Sequence, residues 1–261
     1  MPDFIRVNGR LHHYQFRAGT RGRAIVFANS LGTDLRIWDR VIGHLPVAVP
    51  VLAYDTSGHG LSQGGARSIT EFAADLATLM EALEVEAALI CGVSVGGMIA
   101  QALAAARPDL VAGLVLCNTG VRIGTAESWA ARIGTLEAGG LEPMADEIMR
   151  RWFSDRFRRD EPALAGGCRM MLTRTPLAGY RAVCAAIRDA DLTGGAGQIT
   201  CPTLCISGSD DLATPPGVVE AMAALIPGAR TICYDGGGHL PCVETPARLA
   251  GDIIGHMEHL R

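Results

Sequence analysis

Between an apolar run, Ala87-Ala88-Leu89-Ile90, and an alanine-rich apolar segment from Met98 to Arg107 stands Cys91-Gly92-Val93-Ser94-Val95-Gly96-Gly97. Read in order, this is a strand, a sharp turn and a helix, with a serine at the apex. A turn this tight strains the serine's backbone and admits only small residues two positions to either side, where Gly92 and Gly96 stand. It also sets the Val95 amide at a helix N-terminus, where its N–H is free to bind an anion. Taken alone, the turn is equally compatible with a glycine-rich connection that does no chemistry.

The surrounding rhythm narrows the choice. Phe4–Val7 and Leu11–Phe16 read as a hairpin turned at Asn8-Gly9. Arg23–Ala28, Val47–Tyr54 and Val111–Cys117 read as short buried strands. Leu35–Leu45 and Ile69–Leu83 have helical spacing, the second with Thr70 as its cap. After Asn118 the strands stop. Helical periodicities (Trp129, Ile133, Leu136; Met144, Ile148, Trp152; Tyr180, Val183, Ile187) recur up to Asp191. The alternation then resumes with strands Thr203–Ser207 and Arg230–Tyr234 and helices Val218–Ile226 and Ala247–Leu260. This predicts an α/β fold: a mostly parallel central sheet flanked by helices, formed by residues 1–121 and 192–261, with a helical cap inserted at 122–191.

Composition excludes several classes. A net charge of −4 over 261 residues argues against nucleic-acid binding. All 23 basic residues are arginine, so lysine Schiff-base chemistry is out of reach. No stretch reaches ~18 uninterrupted apolar residues, and the start shows no signal-peptide pattern, so neither membrane insertion nor export is expected. The eight cysteines show neither Cys-x-x-Cys nor metal-ligand spacing and read as reduced core residues of a cytoplasmic protein.

Two later strand ends complete a chemical set. Thr203–Ser207 runs into Gly208-Ser209-Asp210-Asp211, and Arg230–Tyr234 into Asp235-Gly236-Gly237-Gly238-His239. In a parallel sheet these ends share one edge with Ser94, so residues more than a hundred positions apart can meet. A serine hydroxyl is a weak nucleophile at neutral pH. His239 as base, oriented by Asp211, would activate it. Asp210 competes with Asp211 for that role. His59 competes with His239 but precedes the turn in a glycine loop, where it reads as a brace. His12, His13, His44, His256 and His259 fall at surface-strand or helix positions and read as inert. A second anion-binding amide, beside that of Val95, is expected from Leu31 in Asn29-Ser30-Leu31-Gly32.

The chain resembles the 3-oxoadipate enol-lactonases of the α/β-hydrolase superfamily from end to end. The resemblance rests on Asn29-Ser30-Leu31-Gly32-Thr33-Asp34-Leu35 with Trp38-Asp39, Tyr54-Asp55-Thr56 with Gly58-His59-Gly60, Gly92 to Met98, and Cys117-Asn118-Thr119. In the cap it rests on Arg122-Ile123-Gly124 with Trp129 and on Arg151-Trp152-Phe153; further on, on Ala190-Asp191-Leu192 and Asp211 to Pro215. Two features depart from the pattern: Ser57 stands where an arginine is usual, and three glycines precede His239. The resemblance implies a step of aromatic catabolism, in which water opens a five-membered enol-lactone bearing an acetate arm to give 3-oxoadipate. No cofactor and no metal are implied. The implied partner is a small carboxylate-bearing lactone, with neither nucleic acid nor membrane, and a homo-oligomer is left open. The lactone's carboxylate calls for an arginine, with Arg122 the first choice, then Arg188 and Arg174. Trp129 and Trp152 are candidates for the pocket wall. A general carboxylesterase, a cofactor-free perhydrolase or an acyltransferase would share the same three residues.

Overall fold

The computed structural model describes residues 3–260. The strands are β1 (Asp3–Val7), β2 (Arg10–Arg17), β3 (Ile25–Ala28), β4 (Val51–Tyr54), β5 (Ala88–Val93), β6 (Val111–Cys117), β7 (Thr203–Gly208) and β8 (Arg230–Tyr234). They form one sheet in the order β1-β2-β4-β3-β5-β6-β7-β8. The hairpin pairs antiparallel within itself and with β4; the other neighbours are parallel. Every residue of β3, β4, β5 and β7 is buried, as parallel strands covered on both faces require. The α/β expectation is borne out. β3 has β4 on one side and β5 on the other, so the winding direction reverses there. A crevice opens at the carboxyl ends of β3 and β5.

Helices α1 (Asp39–His44), α2 (Ile69–Ala82) and α3 (Val95–Ala106) follow the first parallel strands. Between β6 and β7 come α4 (Ala126–Gly139), α5 (Ala145–Trp152), α6 (Asp155–Asp160), α7 (Pro162–Thr173) and α8 (Leu177–Asp189), here called the cap. In the cap α4 packs on α8, while α5 and α6 pack on α7. The chain closes through α9 (Thr193–Ala196), α10 (Pro216–Ala223), α11 (Pro241–Glu244) and α12 (Pro246–Met257).

Several expectations are corrected. The strand expected over 47–54 is only its second half. Val47–Val49 belong to a turn in which Ala48 O accepts from Thr20 and Arg21 N–H and Val49 N–H donates to Pro46 O. The cap of α2 is Ser68 rather than Thr70: the Ser68 side chain accepts from Glu71 N–H in the first turn. Cys233 is exposed, because β8 is an edge strand with one solvated face; six of the other cysteines are buried. His12, His13 and His256 are buried. His13 Nδ1 meets Asp55 Oδ2 at 2.7 Å, tying the hairpin to the loop after β4. No helix among the described residues is long and apolar enough to cross a membrane.

Candidate active site

Ser94 closes β5 and opens α3 with φ 59° and ψ −122°, a left-handed conformation that a serine adopts only under constraint. The constraint is crowding by backbone. A Cβ on Gly92 would lie 2.3 Å from Gly96 O, and one on Gly96 would lie 2.1 Å from Ala28 O. Thr119 Oγ1 donates to Ser94 O at 2.7 Å and fixes the turn from the end of β6. The Ser94 hydroxyl has no hydrogen-bond partner among the described residues and lines a cavity of about 340 Å³, the size of a small-molecule site.

Val95 is the first residue of α3, so its N–H has no acceptor within the helix. Leu31 lines the same cavity from the loop after β3. That loop is held from below. Asn29 Nδ2 donates to Tyr54 O at 2.8 Å, and Trp38 Nε1 donates to Asn29 Oδ1 at 2.9 Å. Asn29 and Trp38 thus bracket the loop that carries Leu31.

His239 Nδ1 lies 2.8 Å from Asp211 Oδ2. Since a carboxylate only accepts, Nδ1 carries the proton, and the other ring nitrogen remains for the cavity that His239 and Ser94 both line. Asp211 also accepts from Ala213 N–H (2.7 Å), Thr214 N–H (3.1 Å) and Thr214 Oγ1 (2.7 Å). Burial disfavours its charge, but His239 and the Thr214 donors outweigh burial and hold the carboxyl below the ordinary range. Asp210 is exposed and accepts from Ser209 Oγ, so it takes no part in this pairing. His59 is buried without lining the cavity, and burial pushes its pKa down to about 4.

The glycines before His239 are pinned. Gly236 N–H donates to Ser209 Oγ and Gly237 N–H to Tyr234 O, while Gly237 O accepts from Asp210 N–H. Asn118 Nδ2 donates to Gly238 O at 2.9 Å and to His239 O at 2.8 Å, and Asn118 Oδ1 accepts from Gly208 N–H at 2.9 Å. One side chain therefore fixes the ends of β6, β7 and β8 relative to one another.

The cap wall contains Ile123, Trp129, Arg132, Glu147, Arg151 and Trp152. Arg122 is corrected as the expected carboxylate anchor. Its guanidinium pairs with Asp191, its side chain is 65% exposed, and it does not line the cavity. Arg188 pairs with Asp189, and Arg174 lines a different cavity with His13 and Asp34. Arg132 and Arg151 are the arginines that line this cavity. The Arg132 guanidinium donates to the Tyr180 hydroxyl, lies 5.4 Å from the Trp129 ring centroid, and forms no ion pair with a carboxylate among the described residues. Ser57 lies outside the cavity; its hydroxyl donates to Gln63 O at 3.0 Å within its own loop.

The sequence matches the profile of the alpha/beta hydrolase family over residues 25–252. This chain belongs to the alpha/beta hydrolase family. Among proteins similar to this hydrolase is 3-oxoadipate enol-lactonase 2 of Acinetobacter baylyi, 34% identical over 193 residues, which cover 73% of this chain and 72% of that one. 3-Oxoadipate enol-lactonase 1 of the same organism is 31% identical over 254 residues, covering 97% and 95%. The enol-lactonase structure from Burkholderia xenovorans superposes with a TM-score of 0.94 at 34% identity, covering 98% of this chain and all (100%) of that one. The resemblance read from the sequence and the expectation of a hydrolase are borne out by these matches.

Sequence reasoning about this hydrolase passed over Arg132, although it stands three positions after Trp129 and so on the same helical face. Asn118 is assigned no role by the Cys117-Asn118-Thr119 pattern itself. Its φ of 45°, rare for a residue with a side chain, marks it as a residue chosen for its position.

Proposed function

We propose that this hydrolase opens 3-oxoadipate enol-lactone to 3-oxoadipate through an acyl-enzyme on Ser94. The observation that carries the reading is the convergence in one cavity of Ser94, a His239 oriented by buried Asp211, and Arg132, a cation with no carboxylate of its own. The relatives named as enol-lactonases support the choice of substrate.

In this reading the lactone's acetate arm lies against Arg132, and its ring carbonyl points at the Leu31 and Val95 amides. Ser94 Oγ bonds to the carbonyl carbon while its proton passes to the free nitrogen of His239. The negative charge that develops on the carbonyl oxygen is held by the two amides. As the tetrahedral adduct collapses, the ring C–O bond breaks. The enol oxygen leaves, takes the proton from His239, and tautomerises to a ketone. Water then gives a proton to His239, adds to the acyl carbon, and Ser94 departs reprotonated. Asp211 keeps its charge throughout and stabilises the transient imidazolium. The protein chemistry needs only these side chains and amides.

The test is the loss of the lactone's ultraviolet absorbance with purified protein. The parent is expected to turn over the lactone and Ser94→Ala to leave only residual activity. Good turnover of neutral p-nitrophenyl esters with none of the lactone would overturn the assignment.

A further inference from the structure

The cap touches the core at many points, but at one of them a single carboxylate joins it to the loop of the base. Glu244 lies in α11, five residues after His239. Its Oε1 accepts from Ser154 N–H at 3.0 Å and its Oε2 from Ser154 Oγ at 3.0 Å. Ser154 follows Phe153 between α5 and α6, and its Oγ also accepts from Phe157 N–H to cap α6. On the other side, Gly238 presses against the same carboxylate: a Cβ there would lie 2.3 Å from Glu244 Oε1, 2.8 Å from Trp152 O and 2.9 Å from Ser154 N. His239 N–H donates to Trp152 O at 2.8 Å, and Trp152 lines the cavity. Glu244 is half-buried, with Arg156 as the cation that favours its charge.

We propose that Glu244 is a positioning residue for His239, clamping the Trp152–Ser154 turn of the cap against Gly238 so that the cavity wall and the base hold one fixed relation. The inference rests on the reading of His239 as the base. The physical cause is the absence of any side chain at Gly238. The backbone before His239 packs directly on Trp152 O and Ser154 N of the cap, and the Glu244 carboxylate fills the place where a side chain would have been. It also supplies acceptors for two donors that the α5–α6 turn leaves open. Burial disfavours the charge, and the Ser154 and Gly238 donors partly offset it. A half-buried carboxylate held in this way sets a geometry more than it adds stability.

The experiment compares Glu244→Ala, Glu244→Gln, Ser154→Ala and Ser94→Ala on the enol-lactone and on p-nitrophenyl acetate, with Tm measured for each. A base shifted by about 1 Å can lose on the order of 100-fold in rate. Glu244→Ala is therefore expected to lower kcat by at least about tenfold on both substrates with KM within about twofold of the parent. Glu244→Gln keeps an acceptor for Ser154 N–H and the volume beside Gly238, and is expected to recover kcat to within about threefold. Glu244→Ala with kcat within about twofold of the parent overturns the proposal, whatever its Tm, as does equal loss in Glu244→Ala and Glu244→Gln. If Glu244→Ala does not fold, Ser154→Ala decides: kcat lowered by about threefold at unchanged KM supports the clamp, and unchanged kcat overturns it. Full ester activity in Ser94→Ala would instead overturn the assignment of the nucleophile, a different result from full activity in Glu244→Ala alone.

Discussion

Burial works against a charge on Asp211, yet the facing His239 and three further donors from Ala213 and Thr214 keep it ionised. Replacing it by Asn keeps the shape but presents a donor to the imidazole and favours the wrong tautomer. Asp211→Asn is expected to lower kcat on the order of 10⁴-fold with little change in KM, measured by steady-state kinetics. Arg132 makes a separate prediction. A hydrogen-bonded charge pair contributes roughly 1.5–3 kcal/mol, so Arg132→Ala should raise KM for the lactone about tenfold or more and leave KM for a neutral ester nearly unchanged. Arg122→Ala should leave both KM values unchanged, because Arg122 is already paired at the surface with Asp191. Equal effects of Arg132→Ala on both substrates would remove it as the anchor. Ser94, Asp211 and His239 were legible as a set because each follows the end of a strand, and strand ends are local features. Which arginines line the cavity was not legible, since that depends on how the helices between β6 and β7 are rotated against one another, and packing alone sets that rotation.

At the scale of elements, short buried strands announced themselves through uninterrupted apolar runs, and the parallel sheet followed from their alternation with helices. Their starts were less visible. Val47–Val49 look like a strand because nothing in the residues says that Ala48 O is used by Thr20 and Arg21 instead of a sheet neighbour. The bracing of loops by distant side chains was hidden for the same reason: Asn118 holds Gly208 and His239, 90 and 121 positions away. Removing that side chain strands three backbone groups. Asn118→Ala is expected to destabilise the fold by about 2–3 kcal/mol, read from chemical denaturation. Gly238→Ala forces its new methyl into Glu244, Trp152 O and Ser154 N. It should cost activity even where the protein still folds, whereas Gly217→Ala, which meets nothing within 4 Å, should leave kcat unchanged.

For the molecule as a whole, His59 makes acid stability a measurable consequence of burial. Its folded pKa lies at about 4, against 6.5 for the free side chain. Between those values the unfolded chain takes up a proton that the folded protein refuses. The stability present above pH 6.5 is therefore lost as pH falls toward about 4, by on the order of 3 kcal/mol. Asp211 acts in the same direction at lower pH, since a depressed carboxyl loses its contribution only as pH falls through its folded value. The difference in unfolding free energy between pH 7 and pH 4.5 should shrink in His59→Gln, and an unchanged difference would exclude His59 as the cause. The hydrogen bond from His239 N–H to Trp152 O carries a further consequence. A cap that swung upward as one lid would have to tear that bond from the residue proposed as the base. The exposed members of the cavity lining, Gly124, Ser128, Ala131, Thr135, Pro143 and Glu147, instead give the cavity an opening that leaves this seam shut. Glu147 stands exposed at that rim, while Arg151 and Arg132 are less exposed, so the lining carries both signs of charge.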